Sequence, residues 1–160
     1  MEKRENENRF TDELKFSGKE VQLAAKILEQ ISTPIDIIYS LMEESQEPAL
    51  VILLIMAKGI DLYPVLEEEK RDSDILFEID KEESVYILLC QNTKVDGGYR
   101  FSQRLLQTIE SQHAQEIYCT EIETKHTHYT PKELILKLMK LFSQSIASKQ
   151  TNQIVYKSLL

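Results

Sequence analysis

Arg71-Asp72-Ser73-Asp74 places a guanidinium and a carboxylate three residues apart at the mouth of an apolar run. Such a pair can read guanine from two sides, the arginine donating to O6 and N7 and the carboxylate accepting from the ring and amino N–H groups. The same four residues also suit a solvated turn between helix and strand, in which Asp74 only caps or pairs locally. Five residues, Ile75 to Ile79, separate this corner from the charged turn Asp80-Lys81-Glu82-Glu83-Ser84, and the apolar run Val85–Leu89 follows. Any bond-making chemistry near the corner would fall to that turn, and its composition argues against it.

Other residue types capable of chemistry form weaker patterns. His126-Thr127-His128 would put two imidazoles on one face of a strand, a metal-compatible geometry, but no third ligand is evident and a surface turn is the simpler reading. His113 lies among polar residues near a helix end, where it favours the terminal carbonyls. Cys90 and Cys119 lack metal-type spacing and read as reduced packing residues. The chain contains no recognisable catalytic triad and no phosphate-binding glycine loop.

The elements that must position these residues come from a chain of 160 residues, 42% of them apolar, enough for one domain with a real core. A net charge of -8 excludes a general surface for nucleic-acid polymers, while leaving room for a small anion held by a few local arginines. The longest apolar run, Ala49–Ala57, is far below the roughly 20 residues needed to span a bilayer. The polar start Met1–Glu5 has no apolar signal core behind it, which points to a cytoplasmic protein or a cytoplasmic piece of a larger one. Residues 1–16 read as a flexible polar tail and 17–160 as a single domain.

Ser17-Gly18-Lys19-Glu20 is a capping-box pattern opening a helix, and Pro34 is expected to end it. Ile35–Leu41 is β-branched and aromatic and predicts a strand. Glu43–Glu47 reads as a polar break that could begin a short helix. Ala49–Met56 fits either a buried helix or a buried strand, and its Leu, Ala and Met residues tilt the reading to helix. Ile75–Ile79 and Val85–Cys90 predict a hairpin, and Asp96-Gly97-Gly98 opens an amphipathic helix with Phe101, Leu105 and Ile109 on one face. A strand over Glu116–Ile122 follows. Thr130-Pro131-Lys132-Glu133 then starts a helix whose buried stripe is Leu134, Leu138, Leu141, Phe142 and Ile146, and Gln153–Tyr156 forms a last strand. The order is that of an α+β fold, a split β-α-β pattern with a mixed sheet flanked by helices.

In order and spacing the chain resembles, from about Ser17 onward, the GGDEF domain of diguanylate cyclases, enzymes that join two GTP molecules into cyclic di-GMP. Thr33–Tyr39 is similar to that family's first strand and its lead-in, and Val85–Leu89 to the strand after its signature. Arg71 and Asp74 match the RxxD of its product-binding inhibitory site at the expected offset. Arg104 resembles the helix arginine that completes that site, with Arg100 beside it, and Gln150–Val155 resembles the closing strand. The resemblance implies the palm-type fold of nucleotidyl cyclases, a bacterial signalling role and a ligand site formed by Arg71, Asp74, Arg104 and Arg100.

The departures from the family decide what is expected of activity. Asp80-Lys81-Glu82-Glu83-Ser84 stands where the family has its Gly-Gly-Asp/Glu-Glu-Phe signature, so side chains occupy the space that glycines leave for the nucleotide. In the same frame the metal-binding aspartate falls on Ser40 and its acidic companion on Met42, neither able to replace a carboxylate on magnesium. The resemblance therefore implies no catalytic residues, no catalytic metal or cofactor and no cyclase activity. Asp96-Gly97-Gly98-Tyr99-Arg100-Phe101 imitates the signature by eye, but Arg100 replaces an essential acid and helical periodicity follows. Two roles remain: a cyclic di-GMP receptor, or a ligand-free module for a protein partner or homodimerisation.

Overall fold

A computed structural model of the chain describes residues 16–91 and 97–159. The expected N-terminal tail up to Lys15 and the expected cap at Asp96 lie outside the described residues. The elements in order are α1 (Gly18–Glu43), β1 (Leu50–Lys58), α2 (Leu62–Glu69), β2 (Ile75–Asp80), β3 (Val85–Gln91), α3 (Gly97–Ser111), β4 (Gln115–Thr124), α4 (Pro131–Ala147) and β5 (Ile154–Leu159).

The sheet order is β2-β3-β1-β4-β5. β3 runs antiparallel to both β1 and β2, and β1 also pairs antiparallel with β4. β1 and β2 are therefore parallel with β3 between them, the split β-α-β unit with α2 as its crossover. β5 pairs parallel with β4, which makes the sheet mixed.

β1 sits at the centre with both faces covered, which explains its unbroken apolar sequence. Leu50, Ile52 and Leu54 pack under α1 and α4. Val51, Leu53, Ile55 and Ala57 pack under α2 and α3. A strand buried on both faces needs no polar alternation, so its Leu, Ala and Met content misleads. The helix expected over Ala49–Met56 is corrected to a strand from Leu50.

The other correction precedes it. Ile35–Leu41 is helical, and α1 continues through Pro34 to Glu43. Ile27, Ile31, Ile35, Ile38, Tyr39 and Met42 form one buried stripe at helical spacing on both sides of the proline. Burying that stripe, at about 1.5–3 kcal/mol per large apolar side chain, outweighs the roughly 3 kcal/mol that an interior proline costs. Glu43 closes α1 instead of starting a short helix, and the first strand lies some fifteen residues later than expected.

The capping boxes, the hairpin, α3, β4, α4 and β5 match their expected places. Both capping boxes are formed, Ser17 with Glu20 and Thr130 with Glu133. Phe101, Leu105 and Ile109 are buried on α3. On α4 the buried stripe is Leu134, Ile135, Leu138, Met139 and Phe142, whereas Ile146 is exposed at the helix end. Among the described residues no helix is long and apolar enough to cross a membrane.

Candidate functional site

The charged turn joins β2 to β3, and its geometry follows from its sequence. Asp80 Oδ1 accepts the Glu83 N–H at 3.1 Å, the Ser84 N–H reaches Lys81 O at 3.3 Å, and Ser84 takes the left-handed conformation at φ 57°. With the loop after β1 it encloses a cleft of about 480 Å³ lined by Lys58, Asp61, Lys81, Glu82, Glu83 and Tyr86 among others. Its carboxylates are largely engaged. Lys19 and Lys26 of α1 lie 3.2 Å from Glu83 and 3.8 Å from Asp80, and Asp61 accepts the Tyr63 N–H as the cap of α2.

Ser40 and Met42, where the metal ligands were expected to fall, lie on α1 and not at the end of a strand. The end of the first strand instead carries Met56-Ala57-Lys58, again without a carboxylate. Among the described residues no three His, Cys, Asp or Glu side chains are grouped to hold a metal ion.

The Arg71/Asp74 corner is a closed turn between α2 and β2. The Asp74 N–H donates to Arg71 O at 3.0 Å, and the Arg71 N–H donates back to Asp74 Oδ2 at 2.9 Å. Arg71 Nη2 donates to Asp74 Oδ1 at 2.7 Å and to Gln91 O at 2.9 Å, tying the corner to the end of β3. Gln91 Nε2 donates to Ser73 O from the other side. The hydrogen bond to Asp74 holds the Arg71 guanidinium above its ordinary pKa. The Asp74 side chain is fully buried, so its lone pairs face the protein and not an outside ligand.

Arg100 and Arg104 are exposed on α3, where the Arg104 guanidinium lies 5.5 Å from the Phe101 ring centre. Among the described residues neither is bonded to Arg71 or Asp74. The structure thus joins Arg71 to Asp74, and among the described residues that bonding does not extend to Arg100 or Arg104.

His126 and His128 lie past the end of β4, not on it. Their rings stack with centroids 4.3 Å apart, and His126 Nδ1 accepts the His128 N–H, so the first imidazole is used locally. Cys90 and Cys119 are buried free thiols, each pushed up by burial and thus unreactive packing groups.

Sequence reasoning passed over Glu121. It is fully buried on β4 with its Oε1 2.9 Å from Ser102 Oγ, and burial pushes its carboxyl up to about 7. The signal was available: Ile117, Cys119, Glu121 and Glu123 share one face of a strand, and the first two are apolar.

Compared with known proteins, the chain matches no family model and no curated protein sequence. Solved structures do share its fold. The active GGEEF domain of a diguanylate cyclase from Vibrio cholerae superposes with a TM-score of 0.56 at 12% identity, over 80% of this chain and 94% of that one. The diguanylate cyclase SiaD from Pseudomonas aeruginosa, solved in complex with its activator SiaC, gives 0.58 at 13% identity, over 98% of this chain and 72% of that one. The chain has the α+β palm fold of GGDEF and nucleotidyl-cyclase domains, with helices on both faces of a mixed sheet.

Proposed function

We propose that this chain is a non-catalytic signalling module on the GGDEF-type fold, acting through a protein partner and not by making a nucleotide bond. The observation that carries the reading is that most of the carboxylates that nucleotide chemistry would call on already have partners within the chain, Asp74 in a buried pair and Asp80 and Glu83 in surface ones. Asp74 is held by Arg71, Asp80 and Glu83 face lysines of α1, and Asp61 caps α2. Magnesium-assisted phosphoryl transfer needs carboxylates converging on the metal, whereas this cleft mixes Asp61, Glu82 and Glu83 with Lys58 and Lys81 in its lining. The residues present do not fit such a metal.

Support for a partner comes from α1, where Ile37 and Leu41, one turn apart, are 58% and 56% exposed. The likeness to SiaD, which is bound to an activator protein, spans nearly all of this chain and so includes α1.

A second reading, a cyclic di-GMP receptor, is favoured by one observation: the Arg71 side chain is 43% exposed, and Arg100 and Arg104 are exposed as well. There the arginines would meet phosphate and base, and Asp74 would only orient Arg71.

Calorimetry with cyclic di-GMP on wild type and Arg71→Ala, with product analysis after incubation with GTP and Mg²⁺ or Mn²⁺, tests the proposal. Flat titrations and no cyclic product are expected. Saturable binding lost in Arg71→Ala would move the assignment to a receptor, and cyclic di-GMP formed from GTP would overturn the non-catalytic reading.

A further inference from the structure

Glu121 is a carboxylate placed where the fold has no use for a charge. It lies on β4 beneath α3, wholly buried, with Leu53 of β1 and Tyr156 of β5 as its strand partners. Oε1 lies 2.9 Å from Ser102 Oγ, and Oε2 has no hydrogen-bond partner. The Ser102 hydroxyl also lies 2.9 Å from Gly98 O. One hydroxyl carries one proton and cannot serve both acceptors. The chain closes if Glu121 is the neutral acid, donating to Ser102 Oγ while Ser102 donates to Gly98 O.

The groups facing Glu121 add no compensating cation. From β4 come Glu123 and Cys119, from β3 Cys90, and from β5 the Tyr156 phenol, which donates to Glu123 Oε2 at 2.7 Å. α3 presents Ser102 and Gly98, and β1 presents Val51, none of them titratable. An ionised carboxylate here holds one hydrogen bond against an apolar wall, and burying a charge under those conditions is costly.

That cost is relieved most easily by the element with the least to lose. β4 is held on both edges by β1 and β5. The first turn of α3 has no ladder and meets the sheet through the close approach of Gly98 to Val51, the edge-on Tyr99 ring 6.1 Å from that of Tyr156 on β5, and the Ser102–Glu121 bond.

We propose that Glu121 is a proton-operated latch: as the neutral acid it clamps the first turn of α3 onto β1 and β4, and on ionisation it releases that turn together with Arg100 and Arg104. Burial raises its carboxyl from 4.5 to about 7, the Ser102 hydroxyl pulls the other way, and the Glu123 carboxylate adds to the rise. Because the folded-state value is raised, the stabilisation from the bound proton is complete below 4.5 and is lost as pH climbs through about 7. The latch therefore opens near neutral pH.

Amide hydrogen exchange from about pH 5.5 to about pH 8.5, corrected for intrinsic rates, reads the latch directly. In the wild type, protection of the Phe101–Leu105 amides should fall about tenfold across this range while β1 and β4 stay protected. Glu121→Gln, which cannot ionise, should hold protection flat, and Ser102→Ala, which removes the one donor to the ionised form, should move the Glu121 titration midpoint to higher pH. Carboxyl ¹³C titration of the wild type supplies a readout independent of the variants' folding. A flat wild-type profile, an equal fall in Glu121→Gln, or a Glu121 carboxyl titrating in the ordinary range would each overturn the proposal.

Discussion

Arg71 Nη2 donates to Asp74 Oδ1 at 2.7 Å, across a pair whose carboxylate side is fully buried and whose guanidinium side is 43% exposed. The asymmetry separates this pair from the surface bridges of Lys19 and Lys26, which are worth at most about 1 kcal/mol. Arg71→Ala should cost on the order of 2 kcal/mol, because it leaves a buried carboxylate with the backbone N–H of residue 71 and the weak Cys90 thiol donor but no cation. Asp74→Ala should cost a similar amount by opening the turn, and the double variant should cost clearly less than the sum, with a coupling of about 1 kcal/mol. Urea unfolding of the four proteins checks this, and full additivity would contradict the structural role given to the pair.

Pro34 gives a prediction of opposite sign. It lies inside α1 between the buried Ile31 and Ile35, so the helix forms around a residue that supplies no N–H. Pro34→Ala keeps the stripe and restores the donor, and should stabilise the protein by about 1–3 kcal/mol. The midpoint of thermal unfolding should rise accordingly. A fall would mean that the proline's shape is used in packing.

That proline also shows which parts of the structure were legible in the sequence. The capping boxes at Ser17 and Thr130, the hairpin around Asp80–Ser84 and the α3 stripe depend on neighbours within a few residues, and each stands where local rules put it. Pro34 and Ala49–Met56 went the other way because tertiary burial overrode local preference. The spacing of Ile27, Ile31, Ile35, Ile38 and Met42 crosses the proline unbroken and could have outvoted it. At the candidate site, the sequence supplied the Arg71 and Asp74 spacing but not the burial of Asp74, which depends on the end of β3 some twenty residues away. Glu121 was hidden for the same reason, since burial of a β4 residue is decided by α3 above it.

Lys149 occupies the left-handed position just past α4, at φ 51°. The Gln150 N–H reaches Ser145 O at 2.8 Å and the Lys149 N–H reaches Ile146 O at 3.1 Å, the paired bonds of a Schellman-type ending in which glycine is the favoured residue. A residue with a Cβ bears roughly 1–2 kcal/mol of strain in that conformation. Lys149→Gly should recover part of it, raising stability by about 0.5–1 kcal/mol after the added chain entropy of glycine. Chemical denaturation should show a higher midpoint at unchanged slope.

Gly98 is where α3 comes closest to the sheet. A Cβ built there would lie 2.8 Å from Val51 Cγ2 and 3.2 Å from Glu121 Oε1, the first distance shorter than side chains tolerate. Val51 belongs to the central strand and is held by neighbours on both sides, so the helix must move instead. Gly98→Ala should therefore destabilise by about 1–3 kcal/mol from overpacking, even though alanine gains about 1 kcal/mol of helix propensity. Val51→Ala removes the two methyls that Cβ would meet and costs about 1–2 kcal/mol alone as a cavity. In the double variant the new methyl fills part of that cavity, so the pair should be more stable than the two single effects predict. Denaturation of the four proteins decides it, and a double variant no better than additive would mean that α3 has already shifted away from Val51.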